Sequence, residues 1–264
     1  MNQPTSHPLL ELENVTVWRG ERPALDTVSL RIAQGEHTVI LGPNGSGKST
    51  LIKTLTRECY PRYAPPACTL RILGRDTWHV EQLRAMLGIV TNDLVAICTQ
   101  PYPARETVLS GFFSSVGIWP WHEVTPAMEA KADELLDFVG LTALADRPLT
   151  EMSSGEVRRA VIARALVHDP KALLLDEPTN SLDIAAAREL RATMRQLARR
   201  GITIVLVTHH LPDIVPEIER AICLKSGRVF RDGPIGEVLT DRILGELFGP
   251  PVTVERHGEY WDLH

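Results

Sequence analysis

The segment Gly42-Pro43-Asn44-Gly45-Ser46-Gly47-Lys48-Ser49-Thr50 constrains this 264-residue chain more than any other stretch. It fits the template of Gly, four residues, Gly-Lys and then Ser or Thr. Glycines let the backbone turn so that successive N–H groups point inward and form a nest for phosphate oxygens. A helix opening at about Ser49 adds the partial positive charge of its N-terminus. Lys48, one of five lysines in the chain, can reach β- and γ-phosphates, and the Ser49 hydroxyl is placed to ligate Mg²⁺. His37 to Leu41 reads as a buried strand feeding the loop, and Leu51 to Leu55 as the helix that leaves it. The expectation is a nucleoside triphosphate site.

Bulk properties narrow the class. A net charge of −5 argues against a nucleic-acid-binding surface. No apolar run approaches the ~20 residues of a spanning helix, and Met1 to Pro8 is polar, so a soluble, unexported chain is expected. Cys59, Cys68, Cys98 and Cys223 are scattered without metal-ligand spacing and read as free thiols of a reducing cytoplasm. The nine histidines form no His-Glu-x-x-His pattern, so no protein-ligated zinc site is expected.

Residues 9–41 read as antiparallel β-structure, with an irregularity near Asn14, a turn at Arg19 to Pro23 and a final strand into the phosphate loop. Trp18 ends the first strand and is either an ordinary strand aromatic or a stacking platform for a base. Pro61, Pro65 and Pro66 mark a loop, 68–73 a short strand, Val80 to Met86 a short helix, and Leu87 to Thr91 a buried strand ending at Asn92. Between 93 and 150 the expectation is an inserted helical lobe, with helices at roughly 105–116 and 126–139 around Trp119-Pro120-Trp121.

Met152-Ser153-Ser154-Gly155-Glu156 precedes a helix from Val157 to Val167, so Ser153 reads as an N-cap and the helix start as a second place for an anion. The apolar run Ala172 to Leu175 ends in Asp176-Glu177, two carboxylates at a strand end where open α/β sheets bind ligands. Asn180-Ser181-Leu182-Asp183 caps the next helix, whose stripe is Ala187, Leu190, Met194 and Leu197. Ile202 to Val207 is another buried strand, ending at Thr208-His209-His210, with His209 the candidate phosphate contact. A hairpin through Ser226-Gly227, two short helices and a strand pair close the chain. The tail histidines His257 and His264 read as solvated.

In this order the elements resemble an ATP-binding cassette (ABC) ATPase from about Leu9 to Leu247. Gly42 to Ser49 is similar to the family's Walker A motif, and Leu173 to Asp176 to Walker B, with Glu177 at the catalytic glutamate. Ser181, Leu182 and Asp183 resemble the D-loop, His209 the switch histidine, and Trp18 the aromatic that stacks on adenine. The signature departs from Leu-Ser-Gly-Gly-Gln: Met152 to Glu156 keeps Ser153 and Gly155, while Ser154 demands that its position tolerate a side chain. The Q-loop glutamine is replaced by Asn92, with Gln100 eight residues further on.

The resemblance implies an α/β fold: a P-loop NTPase, RecA-like core (9–92 and 151–247), an N-terminal antiparallel β-subdomain, an inserted helical lobe (93–150) and a C-terminal strand pair (248–264). It implies ATP and Mg²⁺ as cofactors, with Ser49, Asp176 and Asn92 at the metal and Lys48, Glu177 and His209 in catalysis. Ser153, Ser154, Gly155 and Glu156 would act across a homodimer formed in the ATP state. The implied partners are transmembrane permease subunits and, through them, a substrate-binding protein, with no nucleic acid. The implied location is cytoplasmic, peripheral on the inner face of the plasma membrane. Val108 to Phe113 resembles importer cassettes for metal, oxyanion or iron-chelate cargo; a soluble ABC ATPase of stress response, translation or repair is the alternative. Val95, Ile97, Phe112, Phe113, Trp119 and Trp121 are expected to line a groove for a helix of the membrane partner.

Overall fold

The computed structural model describes residues 7–62, 67–249 and 252–264, so the Pro65-Pro66 part of the expected loop lies outside the described residues. In chain order the first elements are β1 (Leu10–Arg19), β2 (Arg22–Ile32), β3 (Thr38–Leu41), α1 (Lys48–Leu55), β4 (Thr69–Ile72), α2 (Val80–Met86) and β5 (Leu87–Val90). Then come α3 (Asn92–Cys98), α4 (Ala104–Ser110), α5 (Pro126–Phe138), α6 (Ser154–Leu166), β6 (Ala172–Asp176) and α7 (Ile184–Arg199). The chain ends with β7 (Thr203–Thr208), β8 (Arg220–Lys225), β9 (Arg228–Pro234), α8 (Ile235–Val238), α9 (Asp241–Phe248), β10 (Val254–His257) and β11 (Tyr260–Leu263). They form two compact units, Met1–Val80 with Thr203–His264, and Glu81–Ile202.

In the first unit β1 lies between β2 and β4 in an antiparallel sheet. Leu10, Leu12, Val15 and Val17 of β1 are all buried. Their spacing changes from even to odd because Asn14 adopts φ 52 and the register slips between Leu12 and Val15. A bulge of this kind re-aims the side chains so that both halves of the strand face the same core. β3 pairs in parallel with β7 and β8, and β8 pairs antiparallel with β9. The reading of 9–41 as antiparallel throughout is therefore corrected at β3. Every residue of β3 and β7 is buried, which is why each is an apolar run without alternation.

In the second unit β5 and β6 pair in parallel, and α6 packs against α3, α4, α5, α7 and β5. Val157, Ala160, Val161, Ile162, Ala163 and Leu166 of α6 are buried, so the helix is apolar on most of its circumference. Burying the larger of these side chains contributes about 1.5–3 kcal/mol each. The expected helix at 105–116 stops at Ser110, and Gly111–Phe113 tighten into a 3₁₀ turn. Among the described residues no helix is long and apolar enough to cross a membrane.

Candidate functional site

The phosphate loop is built from backbone constraints. Gly45 and Gly47 adopt φ 77 and φ 109, which side chains rarely tolerate. A Cβ on Gly42 would lie 2.5 Å from the Leu224 carbonyl oxygen, and one on Gly47 2.7 Å from that of Ala24. The Ser46 N–H donates to the Pro43 carbonyl (3.1 Å), and the Gly227 N–H donates to the Ser46 carbonyl (2.9 Å). Helix α1 opens at Lys48, one residue earlier than the sequence suggested, with Gly47 at its N-cap. The Lys48 ammonium is buried and folds back into the loop, donating to the carbonyls of Gly42 (2.6 Å) and Pro43 (3.3 Å). Ser46 Oγ is buried with no protein partner among the described residues, an acceptor and donor left over inside an anion nest. Ser49 and Asn44 are exposed, while Thr50 is buried in α1.

Elsewhere in this unit Trp18 is 42% exposed, and the guanidinium of Arg62 lies 5.3 Å from its ring centroid. His209 follows β7 with its ring 4.0 Å from that of His210. The Thr208 hydroxyl accepts from the His210 N–H (3.0 Å) and donates to Asp213 (3.3 Å), which fixes the backbone beyond the strand.

In the second unit, Ser153 is the N-cap of α6, and Ser154-Gly155-Glu156 form its first turn rather than a lead-in to a helix at Val157. Ser153 Oγ accepts from the Glu156 N–H (3.3 Å) and the Glu156 carboxylate accepts from the Ser153 N–H (2.7 Å), a reciprocal capping box. Ser154 therefore sits in helical backbone, and a side chain there costs no strain. Gly155 is required by packing: a Cβ would lie 2.7 Å from Cβ of Ala186 on α7. Asp183 caps α7 by accepting from the Ala186 N–H (2.8 Å).

Arg158, one turn into α6, ties this unit's motifs together. Its guanidinium donates to Asn92 Oδ1 (3.0 Å), to the Glu177 carbonyl (3.0 Å) and to the Asn180 carbonyl (3.4 Å). Glu177 itself adopts φ 47 and Ser181 φ 63, left-handed conformations that need external support in non-glycine residues. A cleft of about 510 Å³ beside this network is lined by Asn92, Val95, Met152, Ser154, Arg158 and Ser181 among others. The sequence reading missed both Arg158 and helix α3. The signal for α3 was present: Thr91 accepts from the Leu94 N–H (3.1 Å) as an N-cap, with Asp93 in the first turn. Gln100 lies beyond α3 and donates to the Ile97 carbonyl (3.3 Å).

Ile97, one of the six residues expected to line an apolar groove, is 54% exposed. Val95 lines the cleft beside Ser154, whereas Phe113 stacks on His122 and Phe112 meets His168 edge-on. Trp119 and Trp121 stack on each other and remain exposed.

A buried strand, a glycine-clamped loop holding an inward lysine, and a helix starting at that lysine define a nucleoside-triphosphate-binding α/β protein. Residues 25–180 match the ABC transporter family, and the chain belongs to that family. It is 36% identical over 256 residues to the uncharacterized ABC transporter ATP-binding protein YlmA of Bacillus subtilis (strain 168), covering 93% of each chain. The hemin import ATP-binding protein HmuV of Rhodococcus jostii (strain RHA1) is 33% identical over 263 residues, covering 97% of this chain and 85% of that one. Among solved structures, the ADP conformation of MJ1267, an ATP-binding cassette of an ABC transporter, superposes with a TM-score of 0.78 at 26% identity, covering 92% of this chain and 99% of that one.

Proposed function

We propose that this chain powers an importer for a metal, oxyanion or metal-chelate cargo by hydrolysing ATP. Family membership makes it a transporter ATP-binding subunit and an ATPase. Import and the cargo class are supported by the likeness to a hemin import protein. The observation that carries the nucleotide chemistry is the buried Lys48 ammonium in a loop whose glycines admit no side chain.

The proposed reaction is in-line attack of water on the γ-phosphate. Lys48 and the loop N–H groups stabilise the phosphate charge, Glu177 polarises the water, His209 holds the γ-phosphate and Trp18 stacks on adenine. A hydroxyl (Ser49) and a carboxylate (Asp176) are the oxygen donors a small hard cation prefers, so the residues fit Mg²⁺. Ser49 and Asp176 would hold it, and it would neutralise phosphate charge. Asn92 Oδ1 already accepts from Arg158 and would serve the metal through its second lone pair.

The proposed assembly is a head-to-tail homodimer in the ATP state, with Ser153 and Gly155 of one copy facing the Walker A loop of the other. Ser153 and Ser154 are exposed, and Ile184, next to the Ser181-Leu182-Asp183 segment, is 87% exposed. The exposed Ser153 and Ser154 leave the start of α6 open to a second copy. The dimer would sit on permease subunits at the inner face of the membrane.

Two measurements test the proposal. Lys48→Ala should weaken ATP binding, whereas Glu177→Gln should retain binding and lose at least ~10²-fold in kcat, because it acts only in the transition state. A strain deprived of the protein should lose uptake of one labelled divalent metal, oxyanion or iron chelate. Unchanged uptake of all three classes would overturn the importer reading.

A further inference from the structure

The C-terminal hairpin separates its residues by chemistry. β10 and β11 pair antiparallel, with Glu255 opposite Asp262, Arg256 opposite Trp261 and His257 opposite Tyr260. Beyond the strands, Thr253 and His264 exchange backbone hydrogen bonds of 2.9 and 3.0 Å, which extends the register by one pair. Directly opposed residues share a face, and neighbours along a strand alternate. One face therefore carries Val254, Arg256, Trp261 and Leu263, with Arg256 over the Trp261 ring at 5.4 Å. The other carries Glu255, His257, Tyr260, Asp262 and His264.

The donor atoms on this second face converge. His257 Nε2 is 3.0 Å from Glu255 Oε2, and His264 Nε2 is 4.0 Å from both Glu255 Oε2 and Asp262 Oδ2. One ligand atom each from Glu255, His257 and His264 lies within 4.8 Å of the others. Tetrahedral zinc with bonds of about 2.0–2.2 Å separates its ligand atoms by about 3.3–3.6 Å, so small rotations of exposed side chains close the set. Two imidazoles select against Mg²⁺ and Ca²⁺, which take oxygen ligands, and favour the divalent ions late in the first transition row.

We propose that this face of the hairpin is a surface site for a divalent transition metal of the Zn²⁺ class, ligated by His257, His264 and Glu255, with Asp262 beside them. Glu255 and His257 share a face of β10 by their spacing of two, but only the pairing with β11 brings His264 to them. His257 and His264 read as solvated tail residues until the hairpin register aligns them.

The test is titration of full-length protein carrying no histidine tag with Zn²⁺ alone, followed by calorimetry in the presence of millimolar Mg²⁺. One equivalent should bind with a Kd in the micromolar range. His257→Ala and His264→Ala should each weaken that binding at least tenfold. Asp262→Asn should have the smaller effect. Binding weaker than 100 µM, or equal binding by the His257→Ala/His264→Ala double variant, would overturn the site. Both tail variants should keep the parent melting temperature without metal, and Zn²⁺ should raise the melting temperature of the parent alone.

Discussion

Arg158 reaches from the first turns of α6 to the carbonyl oxygen of Glu177 at 3.0 Å, and the same guanidinium holds Asn92 Oδ1 at 3.0 Å. Arg158 is buried, and Glu177 is held at φ 47. A strained backbone persists only where its surroundings over-determine it, and this donor is one of the constraints. Arg158→Ala should cost about 1–3 kcal/mol, because three part-buried hydrogen bonds from a charged donor are lost. If the contact positions Glu177 for chemistry, kcat should fall with KM for ATP little changed, and Arg158→Lys should recover only part of it. Steady-state kinetics beside thermal denaturation separates the two effects; a variant with lower melting temperature and parental kcat would leave Arg158 purely structural.

Gly155 and Ala186 meet where α6 packs on α7. A Cβ at 155 would stand 2.7 Å from that of Ala186, while the next atom lies at 3.7 Å. Gly155→Ala should therefore destabilise by about 1–3 kcal/mol through overpacking. The double variant Gly155→Ala/Ala186→Gly removes the clash and should recover most of the loss in urea denaturation. Absence of recovery would show that position 155 rejects a side chain for another reason.

The α6 capping box predicts a pH dependence. The hydrogen bond from the Ser153 N–H holds the Glu156 carboxyl below its ordinary value of 4.5, against a smaller opposing effect of burial. A lowered folded-state pKa contributes stability above the unfolded value, and that contribution is lost as pH falls through the folded value. Glu156→Ala should cost about 1 kcal/mol near pH 7, and the gap between variant and parent should narrow below pH 4.5. A gap independent of pH would mean that the carboxylate charge plays no part in the cap.

The four cysteines should divide by reactivity. Burial pushes the Cys223 thiol up to about 12 despite nearby Arg231, and burial raises Cys98 as well. Cys59 and Cys68 are only half-buried. At pH 8 the thiolate fraction at Cys223 would be about one in 10⁴. Iodoacetamide should modify Cys59 and Cys68 in the native protein and reach Cys98 and Cys223 only on unfolding, as read by peptide mass spectrometry. Comparable native labelling of Cys223 would contradict its burial in β8.

Much of the site was legible in the chain because its determinants are local. The Gly42 to Thr50 spacing codes a loop that only glycines can turn, and the capping partners Ser153 and Glu156 are three residues apart. The apolar runs of β3, β6 and β7 announced buried parallel strands, since a strand covered on both faces needs no alternation. Even Asn14 marked its bulge by breaking the period of two.

What the tertiary structure alone decided lies between residues far apart in the chain. Arg158 is 66 residues from Asn92 and 19 from Glu177, so no periodicity connects them. Gly155 is explained by Ala186, on a different helix, and Ser154 is unstrained only because α6 begins there. Likewise Glu255, His257 and His264 share a face only once β10 and β11 choose their register. Glycine sterics, capping and hydrophobic period act within a few residues and can be read from order alone. Hydrogen bonds and van der Waals contacts act over a few ångströms, and which distant residues come that close is decided by packing.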